Sequence, residues 1–222
     1  MGDFECKIET DEANYPYDNH TFGLISRLAH YIKSYSAKHG VPPIAVAGSI
    51  ADEYNVQRGL RRLLDWFQDK VVLTNLPSAA IDLDEKAGFK SKFLNATRND
   101  LGPGNINLAT AREIYKRYKN DFPPEAADWS ELVDFILSDR GTALIATLVI
   151  RKGKQELAQW LSNRPIEIQE ALLVTYYKQG PSYIARYKAR LRSQAFSTAT
   201  LVPGEGCRVF HQREKFKTAL GL

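Results

Sequence analysis

A chain of 222 residues with 44% hydrophobic, 25% charged and 11% aromatic residues has the composition of an ordinary folded protein, which excludes intrinsic disorder and collagen-like repeats. Its 30 Lys and Arg against 26 Asp and Glu leave a formal charge of +4, with no block of like charge; that is too mild to argue for nucleic acid and is compatible with an anionic polymer. A second independent domain would leave each half with a small core, so one domain over residues 1–222 is expected.

The first twelve residues, Met1-Gly-Asp-Phe-Glu-Cys-Lys-Ile-Glu-Thr-Asp-Glu, are acidic and polar where a signal peptide would carry a basic end and then an apolar run. Over 21–39 the residues Phe22, Leu24, Ile25, Leu28, Ala29, Ile32 and Tyr35 recur at helical spacing, and Gly40 is placed to end that helix. Pro42 and Pro43 suit a first helical turn, and Ile44-Ala-Val-Ala-Gly-Ser-Ile-Ala51 is apolar or small on every side, the pattern of a core helix. A further helical pattern follows at Leu60, Leu63, Leu64 and Phe67. Val71-Val-Leu-Thr74 reads as a short strand opening an irregular β or loop excursion over 70–103, punctuated by Asn75, Pro77, Gly88, Asn95, Asn99, Gly102 and Pro103.

Helical signals then return. Thr110 and Glu113 have capping-box spacing, and Asp128 is a candidate cap for a short helix over 129–137. Residues 142–160 are long and apolar around Leu144, Ile145, Leu148, Val149 and Ile150. Residues 165–177 form another helix closed by Gly180, and 181–191 carry one more. Residues 193–222 give no clear pattern and, with 1–20, are expected to be peripheral. No stretch approaches the roughly 18 apolar residues that span a bilayer, so no membrane insertion is expected. The four histidines have no zinc-ligand spacing, and no metal site and no cofactor are expected. Cys6 and Cys207 either staple the two ends in an oxidising compartment or stay as two buried thiols.

Glu53 stands out because Val46, Ser49 and Ile50, one and two helical turns earlier, belong to the stripe that faces the core. Burial of a carboxyl without a cation raises its pKa, which suits a general acid near neutrality; alternatively the helix ends at Asp52 and Glu53 faces water. Asp100-Leu-Gly-Pro-Gly-Asn-Ile-Asn-Leu-Ala-Thr-Ala111 is a glycine-rich turn ahead of a helix. Its glycines allow close approach to a ligand, and Asn107 either donates and accepts to a sugar or caps the helix. Tyr176-Tyr-Lys-Gln-Gly-Pro-Ser-Tyr183 brings tyrosines to a helix end, where they serve a binding site or packing.

The order of these segments resembles the lysozyme-like fold of soluble lytic transglycosylases and goose-type lysozymes. Residues 43–55 look like that family's helix ending in the catalytic glutamate, at Glu53. Residues 102–111 resemble its glycine-leucine-methionine-glutamine turn, with Asn107 where the glutamine usually lies. Asp139-Arg-Gly-Thr-Ala-Leu-Ile-Ala146 is similar to its entry into a long buried helix. Tyr177-Lys-Gln-Gly-Pro181 resembles its tyrosine-asparagine-alanine-glycine-proline signature. The match spans about residues 43–191. Three positions depart from the pattern: Tyr54 replaces a serine, Asn107 a glutamine and Lys178 an asparagine.

The resemblance implies a mainly α protein of the α+β lysozyme-like class, a helical domain whose small β or loop lobe forms a glycan cleft. It implies peptidoglycan as partner and substrate, cut between N-acetylmuramic acid and N-acetylglucosamine. Glu53 is then the acid, with Tyr54, Gly104, Asn105, Asn107 and Tyr177 as substrate-binding candidates. Asp100 is either the base of an inverting muramidase, if it lies about 6.5 to 9.5 Å across the cleft, or a turn residue. Without a base the sugar's own hydroxyl returns the proton, giving the anhydro product of a transglycosylase. A wall-cutting enzyme without a leader needs another route, a specialised secretion system or a phage lysis system; the favoured expectation is an antibacterial effector delivered into a rival cell's periplasm, with a producer that keeps an immunity protein. Two other outcomes are a glycan-binding or structural module with a dead site, and a helical interaction protein whose motif matches are accidental.

Overall fold

The computed structural model describes residues 17–56, 100–101, 104, 106–126, 129–182, 185 and 204–222. The expected helix around Leu60–Phe67, the strand at 71–74, the excursion as far as 99, the Asp128 cap, Asn105 and most of the 181–191 helix lie outside those residues. Among the described residues the protein is mainly helical, and no helix is long and apolar enough to cross a membrane.

Helix α1 (Asn19–His39) starts where Asp18 accepts a 2.7 Å hydrogen bond from the Thr21 amide and stops where Gly40 turns to φ 62°. Such a cap contributes about 1 kcal/mol, and the left-handed turn is open to glycine at no steric cost. Its predicted stripe, Leu24, Ile25, Leu28 and Ile32, is buried. Helix α2 (Pro43–Val56) is the centre of the assembly, with every side chain from Ile44 to Glu53 buried apart from the bare Gly48. It has no amphipathic face because neighbours surround it, the arrangement its all-apolar sequence requires.

The chain re-enters the described structure as a two-stranded antiparallel ribbon, β1 (Asp100–Leu101) and β2 (Ile106–Asn107), with Asp100 opposite Asn107 and Leu101 opposite Ile106. Helix α3 (Leu108–Arg117) follows at once. Thr110 is therefore inside the first turn rather than at its cap, and Glu113 instead meets the buried Lys152 at 2.5 Å. After two single 3-10 turns, helix α4 (Trp129–Leu137) leads through Ser138, whose hydroxyl accepts from the Gly141 amide at 3.0 Å, into α5 (Asp139–Glu156). The expected helix over 142–160 is thus earlier by a turn and is interrupted at Leu157 before the four-residue α6 (Ala158–Leu161). Helix α7 (Ile166–Gln179) ends at Gly180, φ 58°.

The largest departure from expectation is the tail. Helices α8 (Gly204–His211) and α9 (Arg213–Leu220) pack on α7, α2 and α1 and bury Cys207, Val209, Phe216 and Leu220. Residues 193–222 are therefore not peripheral over this part. Nor is the start of the chain: buried Tyr17 stacks edge-on with Phe216 at 5.5 Å, and its amide donates to the Gln212 side chain. Helix α2 can sit so close to both α7 and α8 because Gly48 lacks a side chain there. A methyl group at that position would stand 2.6 Å from Val209 Cγ2 and 3.2 Å from Val174 Cγ2. Gly48→Ala is expected to lower stability by about 1–3 kcal/mol through this overpacking, seen as a lower urea midpoint at an unchanged slope.

Candidate functional site

The last turn of α2 carries two consecutive carboxyl groups, Asp52 and Glu53, only 3% and 6% exposed. The helix continues past them to Val56, so Glu53 does not face water as it would if the helix ended at Asp52. Consecutive helical side chains diverge by about 100°, and the two carboxylates accordingly meet different partners. Both partners are cations delivered by distant elements, as buried carboxylates require.

Glu53 Oε1 lies 2.7 Å from Lys178 Nζ. Lys178 is on the final turn of α7 and about a third of its side chain is in solvent, so the pair sits at a rim with the acid on the inner side. This corrects one premise of the sequence reading: Glu53 is buried, but not without a cation. The lysine that departs from the family's asparagine is the residue that reaches it.

One position earlier on α7, Tyr177 donates a 2.9 Å hydrogen bond from its hydroxyl to the Gly104 carbonyl. Gly104 is buried between that phenol, Thr142 at the start of α5 and Ile106 of β2; a Cβ there would stand 3.3 Å from the Tyr177 oxygen and 3.4 Å from Thr142 Cγ2. The glycine thus permits the close approach for which such residues are suited. Tyr177→Phe removes this bond between the turn and α7. It is expected to cost about 1 kcal/mol, measured as a drop in the thermal midpoint, with little change in helical signal.

On the other side, Asp52 Oδ1 accepts from Tyr17 at 3.0 Å and from Arg208 Nε at 2.8 Å, with Arg208 Nη2 at 2.7 Å. The second oxygen, Oδ2, is buried with no hydrogen-bond partner. Burial, then the Asp52 charge, pushes the Tyr17 hydroxyl well above its ordinary range. Burial works against the Arg208 charge while Asp52 works for it, and the balance holds the guanidinium above its ordinary value. A similar buried pair, Arg213 to Glu170 at 2.7 and 3.3 Å, joins α9 to α7.

Of the residues singled out in the sequence, Glu53 meets Lys178, and Gly104 meets Tyr177, the residue before Lys178 in the chain. Tyr54 turns away to α1, where its hydroxyl bonds His20 Nε2 at 2.9 Å. Asp100 and Asn107 are backbone partners across the ribbon, and Asn107 immediately precedes α3; Asn105 lies outside the described residues. Asp52, Arg208 and Tyr17 were not anticipated. An Asp next to a core-facing Glu was the available signal for the first, and no local signal marks the other two. Cys207, fully buried on α8, is disulfide-bonded; the sequence's other cysteine, Cys6, lies outside the described residues. No group of three or more His, Cys, Asp or Glu among the described residues is arranged to hold a metal ion. Comparison of the chain with protein-family models, with curated proteins and with solved structures finds no match.

Proposed function

We propose that this protein cleaves the glycan strand of peptidoglycan at the linkage between N-acetylmuramic acid and N-acetylglucosamine, in a lysozyme-like helical domain with a small β or loop lobe. The observation that carries the proposal is the junction of buried Glu53 with the end of α7, whose next residue, Tyr177, holds the glycine turn at Gly104. The end of α7 thus supplies both the cation at Glu53 and the phenol at Gly104, from neighbouring positions in the chain.

In this proposal Glu53, protonated, donates to the glycosidic oxygen as positive charge develops on the departing sugar ring. Two routes complete the reaction. With Asp100 as base, water attacks and the product is a reducing sugar. Without it, a hydroxyl of the same sugar attacks, its proton returns to Glu53 and the product is an anhydro sugar. Tyr54, Gly104, Asn105, Asn107 and Tyr177 are the substrate-binding candidates, and neither route needs a metal or a cofactor.

The disulfide at Cys207 supports action in an oxidising compartment. We take the protein to be an antibacterial effector, delivered to the periplasm of a target cell and held in check in its producer by an immunity protein that covers the site. A second reading, a glycan-binding module without activity, is favoured by one observation: a carboxylate already matched by Lys178 is a poor proton donor.

Digestion of purified sacculi followed by mass spectrometry separates the outcomes. Reducing ends mean hydrolysis and anhydro ends mean transglycosylation. Binding without released muropeptides supports the second reading, and neither binding nor release refutes both.

A further inference from the structure

We propose that His39, at the opposite end of α1 from His20 and Tyr54, is an acid-sensitive latch: neutral, it holds the last turn of α1 against α5, and protonated, it releases that turn. The inference does not depend on the reading of Glu53. It stands on one hydrogen bond and on what surrounds it. His39 Nδ1 lies 3.3 Å from Arg151 Nη1. A guanidinium only donates, so Nδ1 is the acceptor and the neutral ring carries its hydrogen on Nε2. That Nε2 is enclosed with no hydrogen-bond partner among the described residues, and so is Ser36 Oγ one turn earlier. The last turn of α1 therefore contains two enclosed polar atoms whose burial works against its closure. Helix α5 fastens the turn through Arg151 at His39 and Lys154 at the Gly40 carbonyl.

A proton that Nδ1 takes from water occupies the lone pair that accepts from Arg151, and it sets an imidazolium against a guanidinium. The charges around the ring come from three elements. Helix α1 itself supplies Lys38, α5 supplies Arg151 and Lys154, and the 3-10 turn Lys119–Asp121 supplies Asp121; residues 43–51 of α2 carry no charged side chain. Both oxygens of Asp121 are already shared, Oδ2 at 2.9 Å from Arg151 and Oδ1 at 3.3 Å from Lys38. The helix terminus favours a cation. Enclosure acts most strongly against one, Asp121 acts for it, and Lys38 and Arg151 act against it, so that His39 titrates below its ordinary value of 6.5. Arg151 is not the side that retreats: Asp121 holds it, and its guanidinium lies 4.8 Å over the Tyr118 ring. The α1 turn gives way instead.

The sign of the pH dependence follows. With the turn open, His39 takes its proton at about 6.5; with the turn closed, it does so only at lower pH. Closure is therefore complete above that value and weakens as pH falls towards the folded midpoint, by about tenfold in the opening constant for each pH unit.

The test is an NMR titration of the histidine rings, with amide hydrogen exchange over residues 36–41, in wild type, His39→Gln and Arg151→Gln. In wild type the neutral His39 ring is expected in its Nε2–H form, with a midpoint below 6.5. Protection of 36–41, corrected for intrinsic exchange, is expected to fall about tenfold per pH unit across that window. His39→Gln keeps an acceptor oxygen for Arg151 but cannot titrate, and its protection should stay level over the same range. In Arg151→Gln the His39 midpoint should rise. A wild-type midpoint at or above 6.5, a neutral ring protonated on Nδ1, no rise in Arg151→Gln, or an equal loss of protection in His39→Gln overturns the proposal. If His39→Gln does not fold, the wild-type midpoint and its change in Arg151→Gln decide the matter.

Discussion

Glu53→Gln is expected to release no detectable muropeptides from sacculi while its circular dichroism and thermal midpoint stay close to wild type. An amide of the same shape fills the same enclosed space but has no acidic proton to give. Positioned acid catalysis accounts for about a 10²- to 10⁴-fold rate factor, so a loss of that size is the smallest consistent result. The fold should survive because the partner left behind, Lys178, already reaches solvent and can be hydrated, and the amide still offers it a carbonyl oxygen. Full activity in the variant would remove Glu53 from the chemistry, whatever else the site does. Placing the wild-type protein in a bacterial periplasm with an added leader should lyse the cells, and the same leader on Glu53→Gln should not.

Arg208→Ala is expected to be the most destabilising single change on the opposite side of α2. It would leave Asp52 enclosed with a tyrosine hydroxyl and no cation, and breaking a buried pair from one side costs about 3–5 kcal/mol. In a chain of this size each kcal/mol lowers the thermal midpoint by about 2–4 °C. Removing the carboxylate as well, in Arg208→Ala with Asp52→Ala, should cost less than the two single changes added together, because the uncompensated charge is gone. Additivity would mean that the two groups do not act as a pair.

The contrast between these two pairs explains what the sequence disclosed. The run 44–51, apolar on all sides, announced a central helix, and the position of Glu53 relative to Val46, Ser49 and Ile50 made an enclosed carboxyl one of two outcomes, the other being a helix that ends at Asp52; both follow from helical periodicity. The partners did not follow from it. Arg208 bonds Asp52 across 156 residues, and Lys178 reaches Glu53 only because α7 ends beside α2. Such pairings are products of helix packing and leave no trace at short range. The tail was misjudged for a related reason. Gly204 to His211 is a short helix with two glycines in its first turn, whose intrinsic preference is weak, and it is packing of Cys207 and Val209 that holds it. The Thr110 and Glu113 spacing misled because the ribbon ends one residue before α3 begins, and Glu113 is drawn to Lys152 instead.

One consequence of the two neighbouring acids lies in which base each one meets. Arginine keeps its charge at every pH a cell offers and grips a carboxylate with a rigid fork, whereas lysine presents a single point on a long flexible arm. The terminus of the central helix is therefore gripped like work in a vice: Asp52 sits against the fixed jaw and Glu53 against the sliding one. Opening the second need not loosen the first, so the lysine side can give way without surrendering the anchor beside it.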